Sequence, residues 1–146
     1  MKKKDFESAE KYIRQLEKKS ATSKKTEYDY RQEYLEYYTY TDIGKALSIY
    51  KKNWKEWQTE RCPLDDFNNN NLVYKFFLEL AKQQKSGTIK LELDNSFPFY
   101  SENGVYKIEE LKKYYYNKAK EIALKFDQRN GTNYYQKELG EEYGSI

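Results

Sequence analysis

What most constrains the fold of this chain is the kind of apolar surface it has to bury. Aromatic residues make up 18% of the sequence and all apolar residues only 38%, and 17 of the aromatics are Tyr. A core drawn from these residues is built largely of rings. Each ring buries a large area, but most also bring a phenol hydroxyl that has to reach water or a partner. Only two Val are present, Val73 and Val105, which argues against a large sheet. Charged residues are 35% of the chain, so it is polar without having a disordered composition. With 146 residues there is enough chain for one domain with a real core. The expected fold class is mainly α, a compact helical domain spanning 1–146 with a small antiparallel sheet or hairpin near residues 88–108.

Apolar spacing supplies the elements. Phe6, Ala9, Ile13 and Leu16 recur at three and four, predicting a helix over 4–19. Its stripe is narrow and matches a coiled-coil seam, so this helix could pack on its own domain as easily as on another chain, through self-association or with a protein partner. Residues 20–26 lack periodicity, which makes 1–26 an N-terminal amphipathic helix plus linker. A Tyr-rich helix is expected over 27–40. Thr41 then caps a short helix 42–48, and another helix from about 50 to 61 stops at Cys62-Pro63. Asn68 to Asn71 read as a surface loop before an apolar helix 72–84. Residues 88–94 alternate as a strand, with Ile89, Leu91 and Leu93 on one face. Ser101-Glu-Asn-Gly104 is a turn. The longest helix is predicted over 108–126, a further helical turn over 134–139, and a loose acidic tail over 140–146.

Several function classes fall away. The chain has no His and one Cys, which excludes internal disulfides, Cys/His zinc sites and Ser-His or Cys-His nucleophilic pairs. The acidic pairs Asp65-Asp66, Glu109-Glu110 and Glu141-Glu142 point apart on any regular element, and no Gly-rich phosphate loop accompanies them. No catalytic constellation follows, so the expectation is a protein that is not an enzyme and needs no cofactor or metal. No stretch approaches 18 apolar residues, so no membrane partner is expected. The chain reads as cytosolic, or as part of a virion assembled in the cytosol. Its Lys, Asn, Tyr and Glu bias fits an AT-rich genome, such as that of a low-GC bacterium or its phages and plasmids.

Net charge is only +3. Its distribution is uneven: segments 1–25, 45–61 and 107–125 are basic, while 27–42 and the last twenty residues are acidic. The basic segment 45–61 overlaps the most specific pattern in the chain, Tyr40-Thr-Asp-Ile-Gly-Lys-Ala-Leu-Ser-Ile-Tyr-Lys-Lys-Asn-Trp-Lys-Glu-Trp-Gln-Thr59. This resembles the helix-turn-helix signature. Ile43, Leu47, Ile49, Trp54 and Trp57 stand where that motif packs its helices, Gly44 stands where they cross most closely, and Ser48 occupies the turn usually held by Gly. The resemblance implies a small DNA-binding protein of a phage or mobile element, acting as a regulator or a packaging or recognition subunit on double-stranded DNA. Lys51, Lys52, Asn53, Lys55 and Gln58 would then be the DNA-binding residues.

The tyrosines support a different class. Tyr114-Tyr-Tyr116 on one helix point in three directions, and Tyr37-Tyr38 and Tyr134-Tyr135 repeat the pattern. Tyr is enriched where proteins bind partners. The alternative is therefore a protein-binding module of a phage, with Tyr114, Tyr116, Tyr134 and Tyr135 at the interface. Such a module would be an inhibitor of a host enzyme such as a defence nuclease, or a structural component of the virion.

Overall fold

The computed structural model describes residues 5–22 and 30–140. The fold is mainly helical: α1 (Asp5–Thr22), α2 (Arg31–Thr41), α3 (Ile43–Lys52), α4 (Trp54–Gln58), α5 (Pro63–Gln83), α6 (Ile108–Asn130) and α7 (Tyr134–Leu139). Among the described residues one antiparallel pair, β1 (Thr88–Lys90) and β2 (Val105–Lys107), lies between α5 and α6 in sequence.

The two longest helices, α5 and α6, pack along each other and carry the core. α5 starts where Pro63 takes the first helical position, behind an extended Cys62. It then runs straight through Asn68 to Asn71, where a surface loop was expected. Tertiary contacts decide this, because Asn has low helix propensity by itself. Asn69 and Asn70 are buried. The Asn69 side-chain oxygen accepts from Gln32 Nε2 on α2, and Asn70 Nδ2 donates to the Asp66 carbonyl one turn back. Val73, Tyr74, Phe76, Phe77 and Leu80 of α5 meet Leu111, Tyr115, Tyr116, Ala119 and Ala123 of α6 in one continuous core.

The sheet is shorter than the alternating pattern suggests. β1 ends at Lys90, although Leu91 N still donates to the Gly104 carbonyl at 2.9 Å. Ile89 and Leu91 face the core as expected, and Ile89 pairs with Tyr106. Gly104 is required at its turn: its φ is +71°, and an added Cβ would lie 3.3 Å from the Leu91 carbonyl oxygen.

α1 is packed on its own chain. Ile13 and Leu16 are 4% and 2% exposed, and α1 contacts α2. Of the two placements open to the stripe, Ile13 and Leu16 take the one on the chain's own core. Ala9 is half-buried, and the side chain of Phe6 lies outside the described residues, as do Lys2 to Lys4, Lys24-Lys25 and the tail 141–146.

The C-terminal helix is held by a carboxylate from another element. Asp127, near the end of α6, is 2% exposed and accepts from the backbone N–H groups of Tyr135 and Gln136, both at 3.0 Å. It also accepts from the Gln136 and Thr132 side chains. These are the otherwise unsatisfied donors of the first turn of α7, so Asp127 caps that helix from a distance. Desolvation pushes the Asp127 carboxyl up, but the hydrogen bonds from Tyr135, Gln136 and Thr132 outweigh it and hold the pKa below the usual carboxylate value. The stabilisation is therefore fully present above the unfolded value of about 3.9 and is lost as pH falls from there through the lowered folded value. Asp127→Ala is expected to release α7 at neutral pH, seen in hydrogen exchange as loss of amide protection over 134–139 while α5 and α6 stay protected. Unchanged protection in this variant would rule out the capping role.

Candidate functional site

The segment that resembles a helix-turn-helix forms two helices with a different break. Asp42 joins α2 to α3 as a single residue, ending one helix and capping the next, with its Oδ1 accepting from Lys45 N at 3.2 Å. The cap was expected at Thr41, whose hydroxyl instead donates back to the Tyr37 carbonyl. α3 then continues through Ser48, the expected turn, as far as Lys52. The break falls at Asn53, and α4 is only five residues long. Gly44 is exposed, and a Cβ there would meet nothing nearer than Asp42 Oδ1 at 3.5 Å. The small residue of α3 that is fully buried is Ala46.

The five DNA-binding candidates divide accordingly. Asn53 is 9% exposed, sits in the break, and donates through Nδ2 to the Ile49 carbonyl at 3.0 Å. Gln58 is half-buried and both ends of its amide are occupied: Nε2 donates to the Tyr115 hydroxyl, and Oε1 accepts from the Tyr114 hydroxyl at 2.7 Å. Because Tyr50 and Tyr115 hydroxyls also meet at 2.8 Å, Gln58 closes a chain of four polar side chains that satisfies hydroxyls an aromatic core would otherwise strand. Burial pushes the Tyr50 and Tyr115 phenols well above their ordinary pKa, so both remain neutral donors and acceptors.

Lys51, Lys52 and Lys55 remain exposed. Lys51 lines a hollow of about 520 Å³ with Trp54, Lys90, Leu91, Glu92, Leu93, Asn103 and Gly104. Lys55 Nζ lies 3.0 Å from Asp94 and 5.6 Å from the Trp54 ring centroid. Hydrogen bonds from the Ser96 hydroxyl and N–H, together with Lys55, bring the Asp94 pKa down to about 2. Trp54 lies under this surface, packed edge-on against Phe97 at 6.1 Å.

The tyrosine candidates are mostly internal. Tyr116 is 5% exposed and packs on Tyr74 at 5.2 Å. Tyr114 is half-buried against Phe97 and Phe99, at 5.6 and 5.2 Å. Tyr135 is half-buried between Phe126 and Phe67, at 4.8 and 5.3 Å. Of the four, only Tyr134 is exposed. Three rings in a row enter the structure because the α6 face they cover is wrapped by α5 on one side and by the segment 97–99 on the other. Cys62 is exposed.

A second hollow was not foreseen from the sequence. It measures about 410 Å³ and lies between the α4–α5 junction and the C-terminal half of α6. Trp57, Pro63, Ile122 and Phe126 give it an apolar lining. Glu60, Asp66, Glu121, Lys118, Lys125 and Arg129 supply charges of both signs. The sequence signal was faint: Lys118, Ile122, Lys125 and Arg129 recur at three and four on one face of α6, but nothing in their spacing shows which helix lies opposite.

Among the described residues no group of His, Cys, Asp or Glu is arranged to hold a metal ion, and no described helix is long and apolar enough to cross a membrane. No family model, curated protein or solved structure matches this chain.

Proposed function

We propose that this chain is a non-enzymatic binding protein that contacts the phosphate backbone of double-stranded DNA through Lys51, Lys52, Lys55 and Lys90. The observation that carries this reading is the exposure of all four lysines around the α3–α4 break, with Lys51 and Lys90 on the wall of one hollow. Trp54, buried beneath them, fixes the frame on which they stand. Phosphate contact needs only accessible cations, whereas base readout needs polar side chains free to enter a groove. Asn53 and Gln58 are bonded within the chain, so the reading predicts affinity with little sequence preference. A regulator or packaging subunit built this way would take its sequence specificity from elsewhere in an assembly.

The test is duplex binding as a function of salt. Binding should weaken steeply with salt, because each neutralised phosphate contributes about −0.9 to the slope of log affinity against log salt. The Lys51→Ala, Lys55→Ala, Lys90→Ala triple variant should lower that slope by about 3 and leave the melting temperature nearly unchanged, since the Lys55–Asp94 pair is solvent-exposed. Unaltered affinity and slope in the triple variant would dispose of the proposal.

A further inference from the structure

We propose that two copies of this chain join edge to edge along the outer side of β1, each Lys90 facing Glu92 of the other copy across a two-fold axis at Leu91. The sequence alternates from Thr88 to Asp94, yet β1 stops at Lys90, because the partner strand turns away at Gly104. The rest of the alternation is a strand pattern without a strand to pair with. Main-chain parity shows what it offers. Leu91 N donates to the Gly104 carbonyl and Ile108 N to the Gly87 carbonyl, so the odd-numbered residues of this segment direct their N–H and C=O groups at β2. The even-numbered residues direct theirs to the opposite side. Among the described residues no third strand lies there, and no main-chain bond occupies that side at Lys90 or Glu92. Thr88 is closed off by the Ser86 hydroxyl, and the Asp94 carbonyl accepts from Phe97 N, so the open edge runs from Lys90 to Glu92.

The charge order of the edge selects the occupant. An open edge is a template for another strand, and a charge of one sign placed on it discourages self-pairing. Here two opposite charges stand two residues apart, both exposed. In an antiparallel pair centred on Leu91, Lys90 lies opposite Glu92 of the second copy, and Glu92 lies opposite its Lys90, so both cross-strand pairs are attractive. Parity agrees with this register. Lys90 and Glu92 both direct their main-chain groups outward, so each facing pair exchanges both of its N–H···O bonds, and Leu91 meets Leu91 at the non-bonded position between them. A parallel, in-register pairing would instead set like charges side by side. The segment is therefore its own complement in charge and in hydrogen bonding at the same register. The joined edge is short and falls well below a standard interface, which makes the association weak. The inference is independent of the DNA reading, because main-chain groups carry it and Lys51, Lys52 and Lys55 take no part in the pairing.

The experiment is sedimentation equilibrium of the intact protein at low salt and without nucleic acid, from about 10 μM to about 1 mM, the regime suited to a weak contact. Amide shifts of the ¹⁵N-labelled protein are followed over the same range. The mass should rise from one chain toward two. The Lys90 and Glu92 amides should shift with the same concentration dependence, and the Leu91 amide, already bonded to Gly104, should shift less. Glu92→Lys and Lys90→Glu should each weaken association about tenfold, because each turns both cross-strand pairs into like charges. The two variants mixed together should associate at least as tightly as wild type. The double swap, Lys90→Glu with Glu92→Lys, should recover the wild-type value. Both positions are exposed, so the monomer should fold in every variant, and the wild-type measurements stand without them. A mass of one chain throughout the range would overturn the proposal. Association without shifts at Lys90 and Glu92, or insensitive to the single charge changes, would also overturn it and assign the contact to another surface. A mixture no tighter than either variant alone would overturn the two-fold register.

Discussion

Phe77→Ala should destabilise the protein by about 3–5 kcal/mol, the range for removing a fully buried Phe from a core that relaxes only in part. Phe77 has no solvent exposure and touches three other rings: Tyr50 at 5.1 Å edge-on, Phe76 at 4.9 Å, and Tyr115 at 5.8 Å in a stacked arrangement. It lies where α3, α5 and α6 converge, so the cavity would open under the Tyr50–Tyr115 hydroxyl pair as well as against the helices. Domains of this size are stable by only about 5–15 kcal/mol, so the loss would be a large part of the total. Urea unfolding should show a lower midpoint with an unchanged slope. Leu124→Ala on the exposed face of α6 is the control, with an expected change within about 0.5 kcal/mol. A midpoint for Phe77→Ala close to that of the control would show that the rings are not packed as described.

Trp54→Ala should fall at the low end of the same range, about 3 kcal/mol, because Trp54 is 8% exposed and borders the hollow beside Lys51 while packing on Phe97. The contact is mutual: Trp54 packs against Phe97, and the next residue, Lys55, pairs with Asp94. The substitution should therefore loosen residues 94–99 as well as α4, visible as faster amide exchange at Phe97 and Tyr100, whose N–H groups bond to Asp94 and Phe97 carbonyls. In the native protein both Trp should emit at the short wavelengths of buried indoles, and the variant should keep the Trp57 component. Long-wavelength, solvent-like emission from the native protein would contradict the burial of both.

The helical class, the apolar faces of α1, α5 and α6, the hairpin at 88–107 and the short helix at 134–139 were all legible in the sequence. Each depends on local periodicity or on a turn residue, and these act within a few positions of one another. The burial of Trp54 and Trp57 was legible for the same reason. Tertiary structure alone decided that the Asn run would be helical, since its cost is offset by Gln32 from α2, thirty-seven residues away from Asn69. It also decided that α3 would run on through Ser48 to Asn53, and that Gln58 would be consumed by the tyrosines of α6. Tyr114 to Tyr116 point three ways from their helix, as the sequence required. Whether those directions meet water or protein depends on what lies opposite, and helical spacing carries no information about that. The same limit hid the hollow between the α4–α5 junction and α6, whose lining comes from residues as far apart in the chain as Trp57 and Arg129.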